Sequence, residues 1–302
     1  MKKLKYIALI MTALFVLEGC SSENADTAQT GAIGTAASGN NAVVVSGNMG
    51  VSGNSAGYMI GEDMMLSYDE DGIAVVTNLA DKLNYDTAYD RYDNYIGEEN
   101  AKIISSTTYE VQVKTEGYEQ LNNALAGIFE ERKQYNDELL KEYSTAFEGY
   151  EADFSGGMSD TLYYCDDRVI VTRADEHVFS VVYYSIKSFN GVNGIVTTDT
   201  ATTYVLDSAT GDRLYFYDIV GDMSKFKNAL LLQINQSIEF RMTVPIAEYL
   251  DDFCDNPDAS KDVSYYLTDD GLMISFNQHI VSDVGCPSIL VPYSKNLGLF
   301  NH

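Results

Sequence analysis

The chain has 302 residues, with 45 Asp and Glu against 19 Lys and Arg, a formal net charge of −26. Such a surplus repels a phosphate backbone and argues against nucleic acid as a partner. Hydrophobic residues at 45% and charged residues at 21% supply a core and exclude a wholly disordered chain, while four cysteines are too few for a disulfide scaffold.

Lys2, Lys3 and Lys5 precede an apolar run from Tyr6 to Leu17, broken by Thr12. The run falls short of the about 20 residues a membrane span needs and fits a secretory signal peptide. It ends in Leu17-Glu18-Gly19-Cys20. This resembles the lipobox of bacterial lipoproteins: a Leu three residues before the Cys and a small residue just before it, with Glu18 as a departure. The resemblance implies that residues 1–19 are removed and that Cys20 carries a diacylglyceryl thioether. The protein would then sit in the bacterial cell envelope, held to the bilayer through Cys20 and facing outside the cytoplasm. Losing three Lys and one Glu would take the formal charge to −28.

Residues 21–57 are dominated by Gly, Ser, Asn, Ala and Thr, with Glu23 and Asp26 as their charges. That composition cannot offset the entropy of ordering, so a flexible tether is expected, reaching roughly 30–35 Å. The folded body is expected from Tyr58 onward. No later stretch is apolar and long enough to span a membrane.

Within the body, Met64–Tyr68 and Ile73–Asn78 flank Asp69-Glu70-Asp71-Gly72, which predicts a hairpin with Gly72 at positive φ. The same loop lacks the closing Glu of a calcium-binding EF-hand loop. Residues 84–99 are rich in Tyr and Asp, and the spacing of Tyr85, Tyr89, Tyr92 and Tyr95 predicts a short helix with a half-buried Tyr stripe. Residues 58–100 thus read as an N-terminal hairpin plus a Tyr/Asp-rich segment.

Residues 101–302 read as an α+β ectodomain in two subdomains, with a break near 150–160. Tyr109–Val113 alternates as a strand, and the apolar spacing from Leu121 to Phe147 predicts a helix over about 118–147. Arg168–Thr172, Val178–Ile186, Thr197–Leu206 and Arg213–Tyr217 read as strands separated by turns, favouring antiparallel sheet over βαβ units. Asp222 is the expected N-cap of a second helix with Met223, Phe226, Leu230, Ile234 and Ile238 on its buried face and Pro245 as its stop. Val263–Leu267, Leu272–Phe276 and Ile289–Val291 close the chain as strands. The fold class expected is α+β: antiparallel sheet with two long packing helices.

The order of certain short pieces carries a second resemblance. They are Phe189-Asn190-Gly191-Val192-Asn193-Gly194, Tyr204–Asp207 with Thr210-Gly211, and Tyr217-Asp218-Ile219-Val220. They end with Tyr266-Leu267-Thr268-Asp269-Asp270-Gly271-Leu272, Gly285 and Leu290-Val291-Pro292-Tyr293-Ser294. Over about residues 100–295 this is similar to a family of domains of unknown function found in a lysozyme-sensing anti-sigma factor and in some peptidoglycan deacetylases. Asn193 stands where the family turn carries His, and neither a deacetylase domain nor a sigma-binding segment accompanies the domain. The resemblance therefore implies a surface lipoprotein whose ectodomain binds protein or cell wall.

No catalytic set emerges from the residues. His177, His279 and His302 show no metal-ligand spacing, and nucleophile-elbow, phosphate-loop and dinucleotide motifs are absent. Asp166-Asp167, Asp251-Asp252 and Asp269-Asp270 read as solvated turn residues. Cys165, Cys254 and Cys286 are compatible with one disulfide and a free thiol or with three thiols. The expectation is a non-enzymatic binding domain with no cofactor and no metal. Its partner would be a basic protein such as lysozyme; the alternatives are a peptidoglycan-binding module or, last, an envelope enzyme. Loops on a rigid scaffold are where binding resides, so the expected contact residues are Asn190, Gly191, Val192 and Asn193 in one turn and His279, Ile280 and Gly285 in a later loop.

Overall fold

The structure, a computed structural model, describes residues 58–59, 63–96, 101–148, 163–191, 194–237, 246–283, 285–296 and 298–301. The expected lipidation residue Cys20, the expected tether at 21–57 and the expected break near 150–160 lie outside them. The described residues fall within one compact unit, Gly53–His302.

A small sheet comes first, with strands β1 (Tyr58–Met59), β2 (Met64–Tyr68) and β3 (Ala74–Asn78) in that order. The expected β2–β3 hairpin forms, and Gly72 has φ 76°. Asp69 fixes the turn by accepting hydrogen bonds from the amides of Asp71 and Ile73.

The central sheet has five strands in chain order: β4 (Tyr85–Ile96), β5 (Ala101–Val113), β6 (Tyr163–Ala174), β7 (Val178–Gly191) and β8 (Gly194–Asp207). Neighbours are antiparallel except β5 and β6, which run parallel over Ile104–Thr107 and Tyr163–Asp166. Helix α1 (Glu119–Glu148) lies between them in the chain, so one parallel crossover is set into an otherwise antiparallel sheet. Leu121, Leu125 and Ile128 recur at helical spacing and bury against Val111, Val113, Phe179, Val181 and Leu206. Leu121 and Leu125 are fully buried, each worth about 1.5–3 kcal/mol of apolar transfer.

A second core joins helices α2 (Phe216–Ile219), α3 (Met223–Gln236) and α4 (Ile246–Asp255) to a three-stranded sheet of β9 (Val263–Leu267), β10 (Gly271–Phe276) and β11 (Ser288–Pro292). Phe216 is its hub. It stands edge-on to Phe226, Tyr265 and Phe253 at 4.9, 5.0 and 5.2 Å, the geometry favoured by ring quadrupoles. Asp222 caps α3 as expected, accepting from the Lys225 amide at 3.0 Å. The hydroxyl of Thr172 donates to the Leu267 carbonyl at 2.7 Å, and Leu267 N–H donates to Ser180 Oγ at 3.0 Å. These bonds couple β6 and β7 to β9. No helix among the described residues is long and apolar enough to cross a membrane.

Two glycines quoted for the family resemblance are fixed by close approach. A Cβ on Gly271 would lie 2.4 Å from the Val291 carbonyl oxygen, and one on Gly211, at φ 73°, would lie 2.6 Å from that of Gln120. Gly271 therefore lets β10 and β11 meet, and Gly211 lets the turn after β8 pass the start of α1.

Several expectations change. Residues 85–96 form a strand, not a short helix, because paired β geometry suits Tyr and Thr and because β5 offers a ladder along the whole segment. Arg213–Tyr217 is not a strand. Arg213 makes a single bridge to Leu206, and Asp218 then accepts from the Tyr215 amide and starts the turn that buries Phe216 and Ile219. Helix α3 ends at Gln236, before Ile238, and α4 begins just after Pro245, a residue tolerated at helix starts. Asp167 is not a solvated turn residue; it is buried in mid-strand against Arg132.

A second buried pair links the sheets. Asp175 is fully buried and accepts from Arg173 Nε at 2.7 Å, Asn78 Nδ2 at 2.7 Å, and the amides of Val178 and His177 at 2.8 and 3.0 Å. Arg173 reaches on toward the Tyr293 hydroxyl at 3.5 Å.

Candidate binding surface

Among the described residues, β4, one edge of the central sheet, is left uncovered. Its residues from Tyr85 to Tyr92 are all exposed, although an edge strand this regular offers a row of free backbone N–H and C=O groups. Tyr89 is 64% exposed, Tyr92 49% and Tyr85 40%. Two of these rings are nonetheless held in place: Tyr85 stands edge-on to Phe179 at 6.0 Å, and Tyr89 tilts against Tyr109 at 5.8 Å. Rigid exposed tyrosines carry large contact area at low entropic cost.

The carboxylates of the strand are partly neutralised. Asp86 faces Lys114 at 3.5 Å, Asp90 faces Lys133 at 2.5 Å and Asp93 faces Arg91 at 3.0 Å. The local character of β4 is therefore aromatic and hydrogen-bonding, while the acidity belongs to the body as a whole. The period-two run Tyr85-Thr87-Tyr89 is the sequence signal that marks this surface as a strand.

The expected contact residues are placed as follows. Asn190 and Gly191 end β7 and pair with Ile195 and Gly194 of β8; Val192 and Asn193 lie outside the described residues. His279 has φ 75°, and its amide donates to the Ser282 carbonyl at 2.7 Å. Ile280 is buried in the second core, so it cannot serve as an exposed contact. Gly285, at φ 72°, donates its amide to Asp199 Oδ2 at 2.8 Å, and the Asp199 amide donates to Gln278 Oε1 at 2.6 Å. The late loop is thus strapped to β8 at Asp199. Five residues along the strand separate Asp199 from Gly194, about 17 Å, so the two loops do not form one patch.

Folding also assembles a group that sequence spacing hides. His177 Nε2 lies 2.5 Å from Asp63 Oδ2, and these atoms and a Glu176 carboxylate oxygen all lie within 4.8 Å of one another. The group is a partly exposed hydrogen-bonded His–Asp pair flanked by a second acid.

The three cysteines are free thiols. Burial, reinforced by Asp167, pushes the Cys165 thiol up to about 12, and burial with Asp199 pushes Cys286 up to about 12. Burial raises Cys254 as well. Nucleophilic thiols need the opposite shift.

No protein-family model matches the chain, and no curated protein matches its sequence. Solved structures do match. A crystal structure of a DUF3298 family member from Bacteroides fragilis aligns with a TM-score of 0.51 at 15% identity, covering 74% of this chain and 96% of that one. A DUF3298 family protein from Pseudomonas aeruginosa aligns with a TM-score of 0.47 at 12% identity, covering 74% of this chain and 97% of that one. The Bacteroides fragilis neighbour thus comes from a family of domains of unknown function, the class expected from the sequence. At 15% identity the likeness concerns the fold: this chain has an α+β fold similar to that of the Bacteroides fragilis DUF3298 family protein.

Proposed function

We propose that the protein is a lipid-anchored, extracytoplasmic binding domain without catalytic machinery, whose partner is a basic envelope protein such as lysozyme. The observation that carries this reading is the exposed edge strand β4, with Tyr85 and Tyr89 fixed on one face and Tyr92 exposed on the other. A protein surface docks on such an edge through backbone hydrogen bonds and aromatic anchors. The net charge of −26 supplies long-range attraction to a cationic partner, while the local pairing of Asp86, Asp90 and Asp93 keeps the contact itself from being a desolvated charge cluster. The raised thiols argue against a cysteine nucleophile.

The test is titration calorimetry of the full chain with a basic lysozyme at about 50 and 300 mM salt, between which the Debye length falls more than twofold. The reading expects binding that weakens with salt and is lost on Tyr89→Ala with no change in stability. Absence of heat at both salts, or full binding by the Tyr89→Ala variant, refutes it.

A further inference from the structure

A groove of about 460 Å³ lies between α1, the outer strand β8 and the segment from Pro257 to Tyr265. Its volume falls in the range of small-ligand sites. Its charge is opposite to that of the protein. Arg132, Lys187, Arg213 and Lys261 line it against only Glu131 and Asp258, in a chain where acids outnumber bases more than twofold.

The two acids are already engaged by neighbouring donors. Glu131 accepts from the Tyr204 hydroxyl at 3.3 Å, and Asp258 accepts from the Tyr265 hydroxyl and the Phe216 amide. Among the cations, Arg132 is committed to Asp167 at 2.8 Å. Lys187, Arg213 and Lys261 have no carboxylate partner among the described residues, whereas Lys82, Lys114, Lys133, Lys225 and Lys227 are all ion-paired. Lys141, Arg168 and Lys295 also have no carboxylate partner among the described residues, so what marks the groove is that three such cations line it together.

Two of the three, Lys187 and Arg213, are also held in place. The Lys187 ammonium sits 4.5 Å from the Tyr135 ring centre and donates to its hydroxyl, and the Arg213 guanidinium sits 5.5 Å from the Tyr204 ring centre. Between them the wall carries Thr200, Thr202, Thr203 and Ser260 hydroxyls, and the Ser264 hydroxyl is buried there with no hydrogen-bond partner among the described residues. Donors in surplus call for an acceptor-rich anion, and a row of hydroxyls, each both donor and acceptor, matches a polyol.

We propose that this groove binds a carboxylate-bearing sugar, with Lys187, Arg213 and Lys261 taking the carboxylate and the Thr and Ser hydroxyls taking the ring hydroxyls. The site is separate from β4 and does not rest on the protein-partner reading.

The test is calorimetry of the full chain at low salt with N-acetylmuramic acid, and with N-acetylglucosamine, the same ring without the 3-O-lactyl group that carries the carboxylate. The expected result is binding of the acid at least about tenfold tighter than the neutral sugar. Lys187→Met, Arg213→Gln and Lys261→Gln, all at solvent-accessible side chains and so compatible with folding, should each weaken the acid about tenfold and narrow the preference. Tyr89→Ala should leave it intact. Failure of the acid to bind, equal binding of the two sugars, or affinity unchanged in all three cation variants would overturn the proposal. None of these results bears on lysozyme binding, which the β4 variant reads separately.

Discussion

Removing the charge of Asp175 should unfold a large part of the stability of this domain. The carboxylate takes four hydrogen bonds, from Arg173, Asn78, His177 and Val178, and both it and Arg173 are withdrawn from solvent. Asp175→Asn leaves the Arg173 guanidinium buried and uncompensated, and breaking such a pair costs about 3–5 kcal/mol. For a domain of this size that moves the urea midpoint down by about 1–2 M. The pH dependence has a definite sign. Burial pushes the Asp175 carboxyl up, but the Arg173 charge and the hydrogen bonds from Arg173, Val178 and Asn78 outweigh it, and the group sits below its ordinary value. A depressed folded value means that the stabilisation is complete above the unfolded value, about 3.9, and is lost as pH falls through it to the folded value. The advantage of the wild type over Asp175→Asn should therefore be full at pH 7 and shrink below about pH 4. Urea unfolding of both chains at pH 7 and pH 3.5 measures it. A cost under about 1 kcal/mol at pH 7 would refute the reasoning, as would a cost independent of pH. An Arg173→Met/Asp175→Asn double variant no more stable than the sum of its singles would show that the orphaned charge is not the cause.

Other outcomes follow from the same contacts. Gly271→Ala drives a methyl to 2.4 Å from the Val291 carbonyl oxygen and should cost about 1–3 kcal/mol or more by thermal melting; an unchanged melting temperature would mean that β10 and β11 do not pack this closely. Leu125→Ala, at a fully buried position, should cost about 2–5 kcal/mol in urea. Cys165, its thiol raised to about 12 and its sulfur donating to Asn136 Oδ1 at 3.0 Å, should resist a thiol reagent at pH 8 until denaturant is added; rapid labelling of the native chain would contradict its burial. Replacing the exposed Tyr92 with Ser should leave the urea midpoint within experimental scatter, since it lies outside both cores.

Much of the architecture is legible in the residues because it is locally encoded. The spacing of Leu121, Leu125 and Ile128 specifies α1, Asp222 marks the start of α3, and Asp69 with Gly72 specifies the first hairpin. These depend on periodicity, capping and turn chemistry, which act within a few residues. The Tyr/Asp-rich segment misled because a spacing of three and four fits a helix, while the ladder that makes it a strand is supplied by β5. The buried Asp167 was hidden for the same reason: its partner Arg132 lies 35 residues away, on α1.

The sequence by itself determined the acidity, the locally encoded elements and the glycines of the turns, because each follows from composition or from neighbours in the chain. Only the tertiary structure decided which charges are buried, which edge is left open and where unpaired cations gather. Arg132, Lys187, Arg213 and Lys261 lie far apart in the chain and meet only because α1, β7, β8 and the segment before β9 converge on one groove. Electrostatic and hydrogen-bonding partnership depends on distance in space, and a chain folded through long-range sheet pairing does not carry that distance in its local pattern.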